Sequence, residues 1–148
     1  MDVTGKAASG SRPPTSGSRP ATGGSRPAGG GSRPLSAVVG GYYRDIDRRD
    51  VTAALSRFAP DAVYRRPGYD AFVGVQAISA FYRDRRVISD GRHDLESIIE
   101  DADTVAVRGS FRGVSHGGHA LAVRFADFWR FSGLLVIERD TYFDAAAV

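Results

Sequence analysis

Asp127 is a lone carboxylate in the run Val123-Arg124-Phe125-Ala126-Asp127-Phe128-Trp129-Arg130-Phe131. The β-branched and aromatic residues of this run predict a strand. At period two Val123, Phe125, Asp127 and Trp129 share one bulky, apolar face. A carboxylate placed there either opens into a wet cavity or has its charge disfavoured by desolvation, which raises its pKa. Perturbed acids in apolar clefts mark functional sites; the alternative is a strand-end aspartate that reaches solvent or pairs with a nearby arginine. Tyr42 and Tyr82 occupy apolar helical positions, where a phenol is usually core with its hydroxyl satisfied. Arg66 precedes Pro67 at a strand end, and an inward guanidinium there favours a substrate bearing a carboxylate, enolate or phenolate. His116 and His119 flank Gly117-Gly118 with no third ligand type at suitable spacing, so no metal is expected.

The elements that must position these groups follow from periodicity. Val38, Val39, Tyr42, Tyr43 and Ile46 predict a helix from about Ser36 to Asp47, weakened by Gly40 and Gly41. Asp50 is placed to cap a second short helix through Val51, Ala54, Leu55 and Phe58. Pro60-Asp61 breaks to a short strand, Ala62 to Arg65, ended by Pro67-Gly68. A third helix runs from about Val75 through Ile78, Phe81 and Tyr82. Strands follow at Leu95–Ile99, Thr104–Val114, Leu121–Phe131 and Leu134–Phe143, joined by short polar or glycine-bearing connections suited to an antiparallel meander. Helices followed by strands predict an α+β domain with the helices on one sheet face. Gly109 and Gly113 inside a strand predict strong curvature.

Composition divides the chain at residue 34. Residues 1–34 hold eight of the 18 glycines and five of the seven prolines, with no Ile, Leu, Phe, Tyr or Trp. Such a segment buries too little apolar surface to offset its ordering entropy and is expected to be disordered. Gly-Ser-Arg-Pro recurs in it from Gly10, Gly17, Gly24 and Gly31, without the apolar seam of a coiled coil. Its net charge of +4 exceeds the +3 of the whole chain, so residues 35–148 are close to neutral. The tail is read as a soluble spacer or a weak dock for an acidic partner. No basic cluster with interleaved aromatics supports sequence-specific nucleic-acid reading. The absence of cysteine excludes disulfides and thiolate metal sites. No apolar segment approaches a membrane span and no apolar signal region opens the chain, so a cytoplasmic location is expected.

The segments Phe58-Ala59-Pro60-Asp61-Ala62-Val63, Gly74, Phe81-Tyr82, Ala126-Asp127-Phe128-Trp129-Arg130-Phe131 and Tyr142-Phe143-Asp144 make residues 35–148 resemble the NTF2-like superfamily. Within it, the likeness is to the SnoaL-like and ketosteroid-isomerase-like group. The resemblance implies an NTF2-like cone, three N-terminal helices packed on a strongly curved, mostly antiparallel sheet, commonly as a homodimer. It speaks to fold more than to activity, because this fold hosts enzymes, carriers and binding domains.

In ketosteroid isomerase a tyrosine and a protonated aspartic acid donate hydrogen bonds to a developing enolate oxygen. The resemblance puts Tyr42 and Asp127 at these positions and Tyr82, after Phe81, at a supporting tyrosine that orients Tyr42. The isomerase's base does not carry over: Arg66 stands where an aspartate precedes the proline, and arginine accepts no proton near neutral pH. Asp70, His93 and Glu96 are the possible substitutes, with histidine the best-suited type. Against limonene epoxide hydrolase, Tyr64 matches a tyrosine, but a catalytic acid falls on Thr141 and an asparagine on Arg66, which disfavours epoxide hydrolysis. SnoaL-like polyketide cyclases and related dehydratases need only an acid/base in an apolar pocket and stay open.

The function so implied is that of a small enzyme, with no cofactor expected, acting on a hydrophobic carbonyl-containing metabolite as an isomerase, cyclase or dehydratase. Tyr42, Asp127, Tyr82 and Arg66 would act at the reacting group; Tyr64, His93, Phe125, Trp129 and Thr141 would surround the substrate. One alternative is a non-catalytic small-molecule- or partner-binding domain, which Arg66 at the base's place favours. The other makes the tail the functional part and the domain its cargo.

Overall fold

The computed structural model describes residues 33–146. The expected disordered tail lies outside them, apart from Arg33 and Pro34. Helices α1 (Leu35–Asp47) and α2 (Val51–Leu55) come first, then strands β1 (Phe58–Arg65) and β2 (Phe72–Val73). Helix α3 (Val75–Ala80) runs into a π-helical turn, Phe81–Arg85. Strands β3 (Ile88–Asp101), β4 (Thr104–Ser115), β5 (Ala120–Ser132) and β6 (Leu135–Phe143) complete a six-stranded sheet of order β2-β1-β6-β5-β4-β3. Every neighbouring pair is antiparallel except β1 and β6.

Asp50 caps α2 through a bond from Ala53 N at 2.9 Å, which satisfies one orphan amide of the first turn. The helix ends at Leu55, and Phe58 belongs to β1, which starts earlier than Ala62. The expected break at Pro60-Asp61 is an irregularity inside the strand: pairing with β6 shifts between Phe58 and Val63, and Pro60 and Asp61 are exposed there. A proline without an N–H is tolerated where the ladder is interrupted. Strand β3 likewise begins at Ile88 rather than Leu95. Its first half is polar, yet half-buried and exposed positions alternate along it and it pairs with β4 throughout.

Two features of β3 prepare the site. Pro34 gives α1 no side-chain cap, and Glu100 supplies one from the end of β3 by accepting from Leu35 N at 3.2 Å and Ser36 N at 2.8 Å. These bonds, led by that from Ser36, hold the Glu100 carboxyl below its ordinary value, as suits an anion at a helix N-terminus. Gly91 faces Gly113 across β3 and β4, and a Cβ on either would run into the Phe111 ring. The missing side chains thus leave room for Phe111 against the sheet's inner face.

The core lies between the helices and that inner face. Trp129, Tyr42, Tyr43, Tyr64, Phe81 and Ile78 are among its largest fully buried side chains.

Candidate functional site

Strand β5 alternates as its sequence predicts, with Val123, Phe125, Asp127, Trp129 and Phe131 buried. Asp127 stands directly opposite Thr141 of β6, and Trp129 opposite Arg139. A carboxylate, a hydroxyl and a guanidinium therefore meet on one face, all buried. Asp127 Oδ1 accepts from the Thr141 hydroxyl, and Oδ2 accepts from Tyr43 and, at 2.7 Å, from Arg139 Nη2.

Adjacent residues on a helix diverge by about 100°, so Tyr42 and Tyr43 of α1 serve different partners. Tyr43 reaches Asp127, while the Tyr42 hydroxyl shares a hydrogen bond with that of Tyr82. Arg139 joins the two groups: its Nη1 donates to Tyr42 at 2.5 Å and to Tyr82 at 3.0 Å. The guanidinium is walled by the rings of Trp129, Tyr42 and Tyr64, with centroids 4.4, 4.7 and 4.7 Å from its carbon, a geometry that favours a desolvated cation. Its Nε and the indole N–H of Trp129 are buried without an acceptor among the described residues.

The arrangement differs from a neutral aspartic acid aimed at a ligand. Both Asp127 oxygens are occupied by donors, one of them a guanidinium, so the carboxylate fixes Arg139. This matches the arginine-paired alternative for Asp127, although the partner sits mid-sheet. Burial, helped by Asp127, raises the Tyr43 phenol well above its ordinary value. Burial likewise raises Tyr42 well above and Tyr64 above theirs, outweighing Arg139. Tyr82 goes the other way. Burial opposes its phenolate, but Arg139, Arg86, the bond from Tyr42 and Arg66 together hold its phenol below the usual tyrosine value.

These directions set an alkaline response. The lowered Tyr82 contributes stability that is present above the unfolded value of about 10 and lost as pH falls through its folded value. The raised Tyr42, Tyr43 and Tyr64 contribute stability that is present below about pH 10 and lost above it. Stability should fall above pH 10 by about 1.4 kcal/mol per pH unit for each phenol still protonated only in the fold. Urea titrations in alkaline buffers measure it, and Tyr43→Phe should flatten the slope.

A narrow pocket with a cavity volume of about 30 Å³ opens beside this network. Tyr42, Tyr82, Asp127, Arg66, Tyr64, His93, Phe125 and Thr141 all line it. Trp129 does not; it backs Arg139 from beneath. Arg66 is buried against the rings of Phe81, Phe143 and Tyr69, with Nη1 3.4 Å from the Tyr64 hydroxyl. The other two substitute bases point elsewhere: Asp70 is exposed, and Glu96 pairs with Arg108 and Arg124 outside. His93 is within the pocket, and its Nδ1 lies 2.6 Å from Asp47 Oδ1 at the end of α1. The Asp47 carboxylate also accepts from the His93 backbone N–H, at 3.1 Å to Oδ2. A carboxylate can only accept, so Nδ1 carries the hydrogen, and in the neutral ring Nε2 has the lone pair.

Arg139, Tyr43 and Asp47 were not legible as site residues. Arg139 sits in Glu138-Arg139-Asp140, which reads as a solvated run, yet it lies two residues before Thr141 and so on the same strand face. That alternation was the available signal. Asp47 had none, since its link to His93 spans 46 residues.

The SnoaL-like domain model matches residues 39–139. No curated protein matches the chain. Among solved structures, an NTF2-like protein of unknown function from Burkholderia pseudomallei is 24% identical with a TM-score of 0.69, over 74% of this chain and 90% of that one. A Catenulispora acidiphila protein with a ketosteroid isomerase-like fold, in complex with trimethylamine, is 19% identical with a TM-score of 0.66, over 75% and 88%. An LEH-like epoxide hydrolase from M. tuberculosis is 13% identical with a TM-score of 0.66, over 74% and 82%. At these identities the likeness to solved structures is one of fold.

Proposed function

From its matching 39–139 segment, the chain belongs to the SnoaL-like domain family, and on that premise we propose that it is a cofactor-independent enzyme acting on a hydrophobic carbonyl-containing metabolite. The observation that carries this reading is the Tyr82–Tyr42 pair tied to Arg139 inside the pocket. A phenol more acidic than usual is a strong donor to developing negative charge. In the proposed reaction His93 Nε2 takes a proton from the carbon beside the carbonyl. The C–H electron pair becomes a carbon–carbon double bond, and the carbonyl pair moves onto oxygen, where Tyr82 donates. Tyr42 and Arg139 support Tyr82, and Asp127 holds Arg139. Returning the proton at another carbon gives isomerisation. Loss of a β-hydroxyl as water gives dehydration, and attack on an internal electrophile gives cyclisation.

The expected homodimer draws support from Phe128 and Tyr142, exposed on the outer sheet face with ring centroids 6.0 Å apart. A second reading, a ligand-binding domain without turnover, is favoured by Arg66 at the isomerase base's place. The first test is equilibrium binding of a fluorescent polycyclic phenol, a mimic of the enolate. Tyr82→Phe and Tyr42→Phe should each weaken it by about 1–3 kcal/mol, the scale for one buried hydrogen bond. Binding indifferent to both substitutions would remove the oxyanion site and leave the second reading in front.

A further inference from the structure

The hydrogens on the Tyr64 side of the pocket run toward Asp127. That carboxylate accepts from the Thr141 and Tyr43 hydroxyls and from Arg139. Thr141 has one hydroxyl hydrogen, and the bond to Asp127 spends it. The Tyr64 hydroxyl lies 3.3 Å from the Thr141 oxygen and 3.4 Å from Arg66 Nη1. A guanidinium only donates, so of these two neighbours Thr141 alone can take the Tyr64 hydrogen. Burial raises the Tyr64 phenol above its ordinary value, outweighing Arg139, and the hydrogen stays in place near neutral pH. Tyr64 lines the pocket, and a group that reaches its oxygen there must bring a hydrogen of its own. The Tyr42–Tyr82 side has the opposite polarity. Arg139 Nη1 donates to both phenol oxygens, and one hydrogen joins them. Two phenols carry two hydrogens, so the pair has one left to give. The Tyr64 and Tyr82 rings lie within 13° of parallel, with centroids 6.5 Å apart. An acceptor and a donor therefore stand side by side in the pocket wall.

Deepening the enzyme reading above, on which the carbonyl at Tyr82 rests, we propose that the substrate is a hydroxy-carbonyl compound whose hydroxyl donates to Tyr64 while its carbonyl accepts from Tyr82. Tyr64 is then the residue that sets specificity for the hydroxyl. An ether or a second carbonyl at that place would set lone pair against lone pair in a desolvated site, which costs binding free energy. With no hydrogen to give, Tyr64 cannot protonate a departing hydroxyl, so the group it holds stays on the substrate through the reaction.

The test compares 1-naphthol, 1,3-dihydroxynaphthalene and 3-methoxy-1-naphthol by calorimetry. All three carry the enolate-mimicking hydroxyl, and they differ in offering no second group, a donor, or an acceptor alone. The diol should bind at least about tenfold more tightly than the methoxy compound, the scale of one buried hydrogen bond, and more tightly than the smaller 1-naphthol. Tyr64→Phe should bring the diol level with 1-naphthol. Thr141→Val removes the acceptor of the Tyr64 hydrogen and should narrow the gap between diol and methoxy compound, since Tyr64 can then donate. A methoxy compound that binds wild type as tightly as the diol, or a preference intact in Tyr64→Phe, would overturn the assignment. The two readings fail separately. Naphthol binding that needs Tyr82, without a preference for the diol, removes only the hydroxyl. A Tyr64-dependent preference with naphthol binding indifferent to Tyr82→Phe and Tyr42→Phe keeps the hydroxyl and removes only the oxyanion site.

Discussion

Replacing Arg139 with methionine is expected to cost about 3–5 kcal/mol of folding stability, the scale for leaving one charge of a buried pair without its partner. Methionine can refill much of the guanidinium's space among Trp129, Tyr42 and Tyr64, but it cannot answer the Asp127 carboxylate, which is fully buried. Tyr43 and Thr141 would still donate to Asp127, while Tyr42 and Tyr82 would lose their common donor. A loss of that size is a large share of the stability of an ordinary domain. Asp127→Leu alone should also destabilise strongly, since it strands the guanidinium. The double variant should be more stable than the sum of the single effects predicts, because no lone charge remains. It should not recover fully, since Tyr43 and Thr141 would lack an acceptor. Urea unfolding of the four proteins completes the cycle. Additive losses would mean that the pair is not energetically coupled.

His93→Gln is expected to lower proton abstraction in the pocket by about 10²–10⁴-fold, the usual contribution of a positioned base. A probe that needs no knowledge of the natural substrate is 5-nitrobenzisoxazole. The base takes its C–H proton, the C–H pair forms the nitrile, and the N–O bond breaks to leave a coloured phenolate. That phenolate is the kind of anion the Tyr82 side of the pocket is proposed to receive. Asp47→Asn should give a smaller loss of the same rate with phenol binding unchanged, whereas loss of a purely structural tie between α1 and β3 would lower both. Wild-type rates in His93→Gln would exclude His93 as the base. Phenol binding measured on the same variant then shows whether the pocket itself is intact.

The architecture was largely legible because its signals are local. Period-two alternation marked β5, helical spacing marked α1, and Asp50 announced its own cap. Readings failed where a local rule met a tertiary exception. Pro60 was read as a break because the shift in pairing between β1 and β6 leaves no trace in the residues. The first half of β3 looked like loop because its inner face is completed by Phe111 from β4 over Gly91. The site divides the same way. Tyr42, Tyr82 and Asp127 carry a recognisable pattern, but the charge that organises them resides on Arg139, whose neighbours Glu138 and Asp140 make it look solvent-facing. Arginine in a strand is ordinarily a surface residue, and here the buried pair with Asp127 together with the surrounding aromatic rings reverses that.

The parallel pairing of β1 with β6 bears on how the molecule comes into being. The bond from Arg139 to Tyr42 joins residues 97 positions apart, and that between Tyr64 and Thr141 joins residues 77 apart. Closing such long loops is entropically expensive until much of the chain is already arranged. During synthesis Asp127 leaves the ribosome before the arginine that neutralises it, and neither phenol of the Tyr42–Tyr82 pair has its cation. The pocket is therefore among the last parts of the domain to exist. A chain that stalls or is clipped before β6 holds a buried-type acid without its cation and the Tyr42–Tyr82 pair without its common donor.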